Sequence, residues 1–232
     1  MSGRKQNAAS GFSLIELIVV IVILSILAVF GSQFVITTTQ NYEQTRTRAL
    51  LVNTGRQALE QMTRQLRGAL PYSVRVINGG NCLQFMPIAG GGIYLSAVPD
   101  AANGAPASNF IGVTSHQEEF GDANWVSIGA MSANEIYGPG ASLRALAARS
   151  ETNLILSSSF SWQRNSINRR FYLLDNPQAF CVQAGNLNFF SNLNIAAPDF
   201  NDPVLMAQNV TATTPFDLTV GSENPTRLSS SI

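Results

Sequence analysis

The chain has 232 residues, 45% of them apolar, and a mean hydropathy of +0.11, which suits one domain or two small ones with a buried core. Only 12% of the residues are charged and the 14 basic and 14 acidic side chains cancel, so nucleic acid, whose binding draws on an excess of Lys and Arg, is not an expected partner. The only lysine is Lys5; every later basic side chain is an arginine.

Residues 1–11 are polar and carry Arg4 and Lys5, whereas residues 14–36 run almost wholly apolar with Glu16 as the single ionisable group. As a helix that run reaches about 35 Å, enough for a hydrocarbon core of about 30 Å. The lipid bilayer is therefore an expected partner. The positive flank predicts a cytoplasmic N-terminus and places the chain beyond about Gln40 across the inner membrane, in an oxidising, periplasm-like compartment. A plain secretory signal fits poorly: the apolar run is too long, its exit near Ala28 to Ser32 lacks a clean small-x-small site, and a carboxylate sits inside it. An acidic side chain deep in a bilayer costs about 2.5 to 3.5 kcal/mol on the lenient insertion scale. Glu16 needs a compensating charge.

A cut between Gly11 and Phe12 supplies one, because the new amine of Phe12 lies one helical turn before Glu16. The residues Gly11-Phe12-Ser13-Leu14-Ile15-Glu16 resemble the prepilin signature of type IV pilins and type II secretion pseudopilins. The resemblance implies cleavage by a prepilin peptidase, N-methylation of Phe12, and pairing of Glu16 with the amine of a neighbouring subunit during filament assembly. The bland alternative is that Glu16 neutralises its own N-terminus or meets the helix dipole there. The chain departs from major pilins in having Gln33 where many carry proline and Ser25 where many carry glycine, with Gly31 the only glycine of the span.

Past Ile36 the chain is polar but keeps a helical beat. Tyr42, Thr45, Ala49, Val52, Gly55, Leu59, Met62, Leu66 and Ala69 recur at spacings of three and four, opposite Arg56, Glu60, Arg64 and Arg67. Pro71 is the predicted stop. The stripe predicts a helix that leaves the membrane and continues as a core element. The pieces from Leu59 to Pro87, with Arg169 to Asp175, Phe180 to Val182 and Leu205 to Thr211, are similar to the minor pilins of the mannose-sensitive haemagglutinin pilus type.

After Pro71 the pattern turns to short runs of period two: Ser73 to Ile77, Cys82 to Met86, Trp125 to Ile128, Leu154 to Ser157, Phe171 to Leu174, Phe180 to Gln183 and Leu187 to Phe190. These predict strands. Residues 88–115, poor in charge and rich in Ala, Gly, Ser, Asn and Pro, predict a long loop insertion with little regular structure. The expected fold is α+β, a long N-terminal helix packed on an antiparallel sheet, as in pilins. The expected divisions are a leader at 1–11, a transmembrane helix at 12–36, an amphipathic extension at 37–70 and a periplasmic β-rich domain at 71–232. Cys82 and Cys181 allow one internal disulfide, and both fall in predicted strands on the oxidising side. Two separate buried thiols are the alternative.

Other candidates are weaker. Gly90, Gly91 and Gly92 lack the Lys and Ser/Thr of a phosphate-binding loop and predict a flexible loop. His116, the only histidine, beside Glu118 and Glu119, forms neither a two-histidine metal site nor a catalytic triad; no enzyme activity and no cofactor are expected. Asp199 and Asp202 are weak Ca²⁺ candidates, with a solvated turn as the plainer reading. Asn209-Val210-Thr211 satisfies a glycosylation sequon but reads as part of a strand. Trp125 and Trp162 suit either a sugar platform or the core, more often the core. The residues from Thr226 to Ile232 read as the opening of a strand whose continuation is missing, leaving a sheet edge unpaired.

The resemblance implies a non-covalent role, a minor pilin that primes or supports type IV pilus assembly. Its implied partners are prepilin peptidase, other pilins and minor pilins, and the inner-membrane pilus assembly platform. A J-type pseudopilin of type II secretion and a tip adhesin are the rival readings.

Overall fold

The structure, a computed structural model, describes residues 13–114, 122–219 and, for the backbone alone, 227–229. The chain divides into two compact units, Met1–Asn53 and Thr54–Ile232. Helix α1, Leu14–Arg67, contributes to both. It stops short of Pro71 because Gly68 follows, and the Gly68 and Ala69 amides tighten onto the carbonyls of Gln65 and Leu66 (3.0 and 3.2 Å). Arg64 and Arg67 lie in its last turn, where cations oppose the helix dipole.

In the second unit, α1 buries Ala58 and Met62, with Leu66 partly covered, against Leu83, Phe85, Phe180, Leu187 and Ala207. The expected stripe is off by one position at its centre. Leu59 stays 37% exposed while Ala58 is 4% exposed, because the smaller side chain lets helix and sheet approach closely. In the first unit every described residue is exposed, Tyr42 and Val52 included, so the upper part of the expected stripe is uncovered among the described residues.

The sheet under the helix begins with β1 (Arg75–Ile77) and β2 (Cys82–Phe85), paired antiparallel. The chain then leaves it for six strands: β3 (Ile88–Ile93), β4 (Ser108–Gly112), β5 (Trp125–Ser127), β6 (Leu143–Arg149), β7 (Asn153–Phe160) and β8 (Arg170–Leu174), with the short helix α2 (Ala133–Tyr137) between β5 and β6. They form an antiparallel sheet in the order β3-β8-β5-β6-β7-β4. Its two edges meet: Tyr94 bridges Val113, the Leu95 amide donates to the Gly112 carbonyl (2.8 Å) and the Thr114 amide to the Ile93 carbonyl (2.9 Å). A barrel results, filled by Tyr94, Ile111, Val126, Leu154, Trp162 and Phe171 among others.

The chain returns to the first sheet with β9 (Gln178–Gln183), β10 (Asn186–Phe190) and β11 (Val204–Gln208), giving the order β1-β2-β9-β10-β11. Ala184 and Gly185, both at positive φ (49° and 76°), make the two-residue turn between β9 and β10. A separate hairpin pairs β12 (Asp217–Thr219) with β13 (Arg227–Ser229).

The α+β expectation holds: a long apolar N-terminal helix accompanies antiparallel sheets, and the seven predicted strands all fall on observed ones. The single sheet becomes two sheets and a hairpin. The loop expected over 88–115 is corrected, since β3 and β4 lie within it and close the barrel. Gly90 to Gly92 belong to β3 rather than to a flexible loop. A Cβ on Gly91 would stand 2.9 Å from the Phe171 carbonyl oxygen, so the close pairing of β3 with β8 requires glycine there. Asn209 to Thr211 lie just beyond β11, not in a strand. Residues 227–229 do form a strand, but with β12 as its partner; β1 and β11 are the two edges of the first sheet among the described residues.

Candidate functional site

The expected site lies at the start of α1. Gly11 and Phe12 fall outside the described residues, as do His116, Glu118 and Glu119. Ser13 opens the helix: its carbonyl accepts from the amides of Glu16 (3.0 Å) and Leu17 (3.2 Å), so Glu16 sits in the first turn. Its carboxylate has no hydrogen-bond or ionic partner among the described residues.

From Leu14 to Ile36 the helix that carries Glu16 is apolar on all sides. Its best 18-residue window has a mean hydropathy of 3.0, long and apolar enough to cross a membrane. Side chains around its whole circumference are uncovered, Leu14 at 76%, Phe30 at 71% and Phe34 at 73%. Such a surface suits lipid or packing among like helices and is foreign to water. The two serines of the run satisfy their own hydroxyls, Ser25 donating to the Ile21 carbonyl (2.7 Å) and Ser32 to that of Val29 (2.9 Å). Thr37, Thr38 and Thr39 do the same with the residues four before them. Between residues 14 and 36, Glu16 and Gln33 are then the only side chains with unsatisfied polar groups.

The distal candidates are dispersed. Asp199 accepts from the Asn194 amide (3.3 Å) and Asp202 sits in a left-handed turn at φ 52°. Among the described residues no group of three or more His, Cys, Asp or Glu side chains gathers as a metal site would require. Trp162 is 2% exposed inside the barrel, against Phe160 edge-on at 5.2 Å, so it is no sugar platform. Trp125 is partly buried and donates its indole N–H to Asn176 Oδ1 (2.8 Å). Cys82 and Cys181 are directly opposed on β2 and β9 and joined by a disulfide.

Two polar assemblies had no sequence signal. Asp100, 5% exposed, accepts from the amides of Ala102, Asn103 and Asn165 and from the Asn165 side chain. These bonds, led by the Asn165 side chain, hold its carboxyl below the usual range. Glu135 meets Arg164 through two oxygens (2.7 and 3.0 Å) and also accepts from the Ser142 hydroxyl and the Met131 amide. Arg164 is the main reason the Glu135 carboxyl is also depressed. Each assembly is held by one distant partner, Arg164 lying 29 residues from Glu135 and Asn165 lying 65 from Asp100, beyond the reach of local pattern.

A family model described as the prokaryotic N-terminal methylation motif matches residues 6–32, the segment containing Gly11, Phe12, Glu16 and most of the apolar run. No characterised protein and no solved structure matches the chain. The motif makes the N-terminus type IV pilin-like, and with the apolar helix it fits a membrane-anchored protein.

Proposed function

We propose that this protein is a minor pilin, a structural subunit that primes or supports type IV pilus assembly, of the kind found in mannose-sensitive haemagglutinin pili and most like MshO. The methylation motif over residues 6–32 carries the reading. Prepilin peptidase cuts after Gly11 and the new N-terminus, Phe12, is N-methylated. Residues 12–36 cross the inner membrane with the leader cytoplasmic, and the β-rich domain stands in the periplasm. On assembly, the same helix exchanges lipid for neighbouring pilin helices, a transfer between two apolar surroundings that costs little. The lone carboxylate of Glu16 then takes the amine of an adjacent subunit as partner.

Glu16→Ala tests this. Removing an intramembrane carboxylate eases insertion, so the variant inserts and is cleaved at the wild-type level, yet its recovery in sheared surface fibres falls at least tenfold. Equal recovery of variant and wild type in fibres would contradict the assembly role.

A further inference from the structure

Beyond α1 the chain makes a tight turn, Leu70-Pro71-Tyr72-Ser73, closed by the Ser73 amide on the Leu70 carbonyl (3.0 Å). Proline suits the second position of such a turn. The third, at φ 66°, is a left-handed position that favours glycine or asparagine, yet it holds Tyr72. Its neighbours impose the conformation. Leu70 and Ser73 are buried, the Leu70 amide donates to the Met86 carbonyl (2.8 Å), and the Ser73 hydroxyl links the Leu70 carbonyl to the Met86 amide. The tyrosine is no core residue, being 38% exposed. A strained bulky residue held at the surface points to a use for its side chain.

That residue borders a half-open concavity of ≈ 240 Å³, whose other walls come from Leu70 and Pro71 and from parts of the segments 127–131 and 164–172. Two further large apolar side chains stand around it, Met131 at 55% exposure and Ile167 at 93%. Ile167 is not on a loose loop. Asn165, just before it, bonds to Val98 and Asp100; the Ser166 amide donates to the Tyr94 hydroxyl (2.8 Å); the Arg170 amide donates to the Ser166 hydroxyl (3.2 Å). Arg170 also lines the concavity. Arg164 is matched by Glu135, whereas Arg170 has no hydrogen-bond or ionic partner for its guanidinium among the described residues, and no carboxylate lines the walls.

We propose that this concavity docks another pilin-type subunit, receiving one bulky apolar side chain that lies next to a carboxylate. The proposal rests on the assembly role above and adds the surface and the chemistry of the contact. Tyr, Met and Arg around a desolvated centre are the side chains that anchor protein interfaces. The uncovered Ile167 and Met131 favour a protein over a glycan, which would leave both without apolar contacts. The charge of Arg170 selects an acidic neighbour. A loop already braced by Tyr94 and Asp100 loses little freedom on docking.

The test places a photo-reactive amino acid at Ile167 in the full-length protein, in cells that assemble fibres, and identifies the cross-linked peptide by mass spectrometry. The expected peptide belongs to a subunit with its own N-terminal methylation motif and has a large apolar side chain within two residues of Asp or Glu. Arg170→Glu lowers the cross-link at least tenfold and Arg170→Lys retains most of it. Tyr72→Gly also lowers it tenfold while leaving the melting temperature unchanged or higher, because glycine relieves the turn. A cross-link to lipid, glycan or a protein of another kind, no cross-link, or yields indifferent to Arg170→Glu and Tyr72→Gly, overturns the docking site. Fibres that contain the protein but show no such cross-link refute the docking site alone. Absence of the protein from fibres removes the assembly reading with it.

Discussion

Cys82 and Cys181 face each other across β2 and β9, the strand from which the chain leaves for the barrel and the strand by which it returns, and their disulfide ties the two together at the end of the pairing away from Phe85 and Gln178, where those connections are made. The bond encloses a separation of 99 residues, holding all six barrel strands.

Cross-linking a loop of about 100 residues stabilises by about 4.7 kcal/mol in the chain-entropy account, with about 2 to 5 kcal/mol the common experience. Replacing both cysteines by serine, or reducing the detergent-solubilised protein, is expected to lower stability by at least about 2 kcal/mol in denaturant titrations. Two free thiols in the natively purified protein would contradict the bond itself.

The register of α1 on its sheet makes a paired prediction. Met62 is 7% exposed against the sheet and Leu59 is 37% exposed beside it. Met62→Ala is expected to cost about 2 to 5 kcal/mol through lost burial and a residual cavity. Leu59→Ala is expected to cost less than about 1 kcal/mol. Thermal unfolding of the two variants reads the difference, and the reverse order would mean that the helix presents its other face.

Glu135 ties stability to pH. Hydrogen bonds from Arg164 depress its carboxyl in the fold, so the unfolded chain takes up the proton more readily. The stabilisation is complete above the unfolded value of about 4.3 and is lost as pH falls through the lower folded value. Glu135→Gln is expected to cost about 1.5 to 3 kcal/mol at neutral pH, the worth of charged hydrogen bonds. The gap from wild type should narrow in acid below that range. A gap that does not change with pH would show that the carboxylate's charge is immaterial.

Much of this molecule is legible in its sequence, and the failures have physical causes. The anchor helix reads plainly because an unbroken apolar run has few other uses, and β2, β8 and β9 read because Leu83, Phe171 and Phe180 recur with strand periodicity between turn residues. β3 does not, since Gly90 to Gly92 carry no side chains from which to form an alternation, and their fitness for a strand depends on the backbone of Phe171 across the sheet. Ala58 was hidden by Leu59, because hydrophobic size is a poor guide where close approach is what matters. The barrel's closure at Tyr94 and Val113, and the bracing of Asn165 by Asp100, are long-range pairings without local trace. The N-terminal motif is the opposite case: Gly11, Phe12 and Glu16 are contiguous in the chain and need no tertiary structure to be recognised.

The mass of the mature N-terminal peptide decides whether this chain is processed as a prepilin. The protein purified from membranes is expected to begin at Phe12 with an N-methyl group, and to keep residues 1–11 when Gly11 is replaced by a bulky residue. A mature chain that begins elsewhere, or an unmethylated Phe12 produced equally well from the Gly11 variant, would contradict the account.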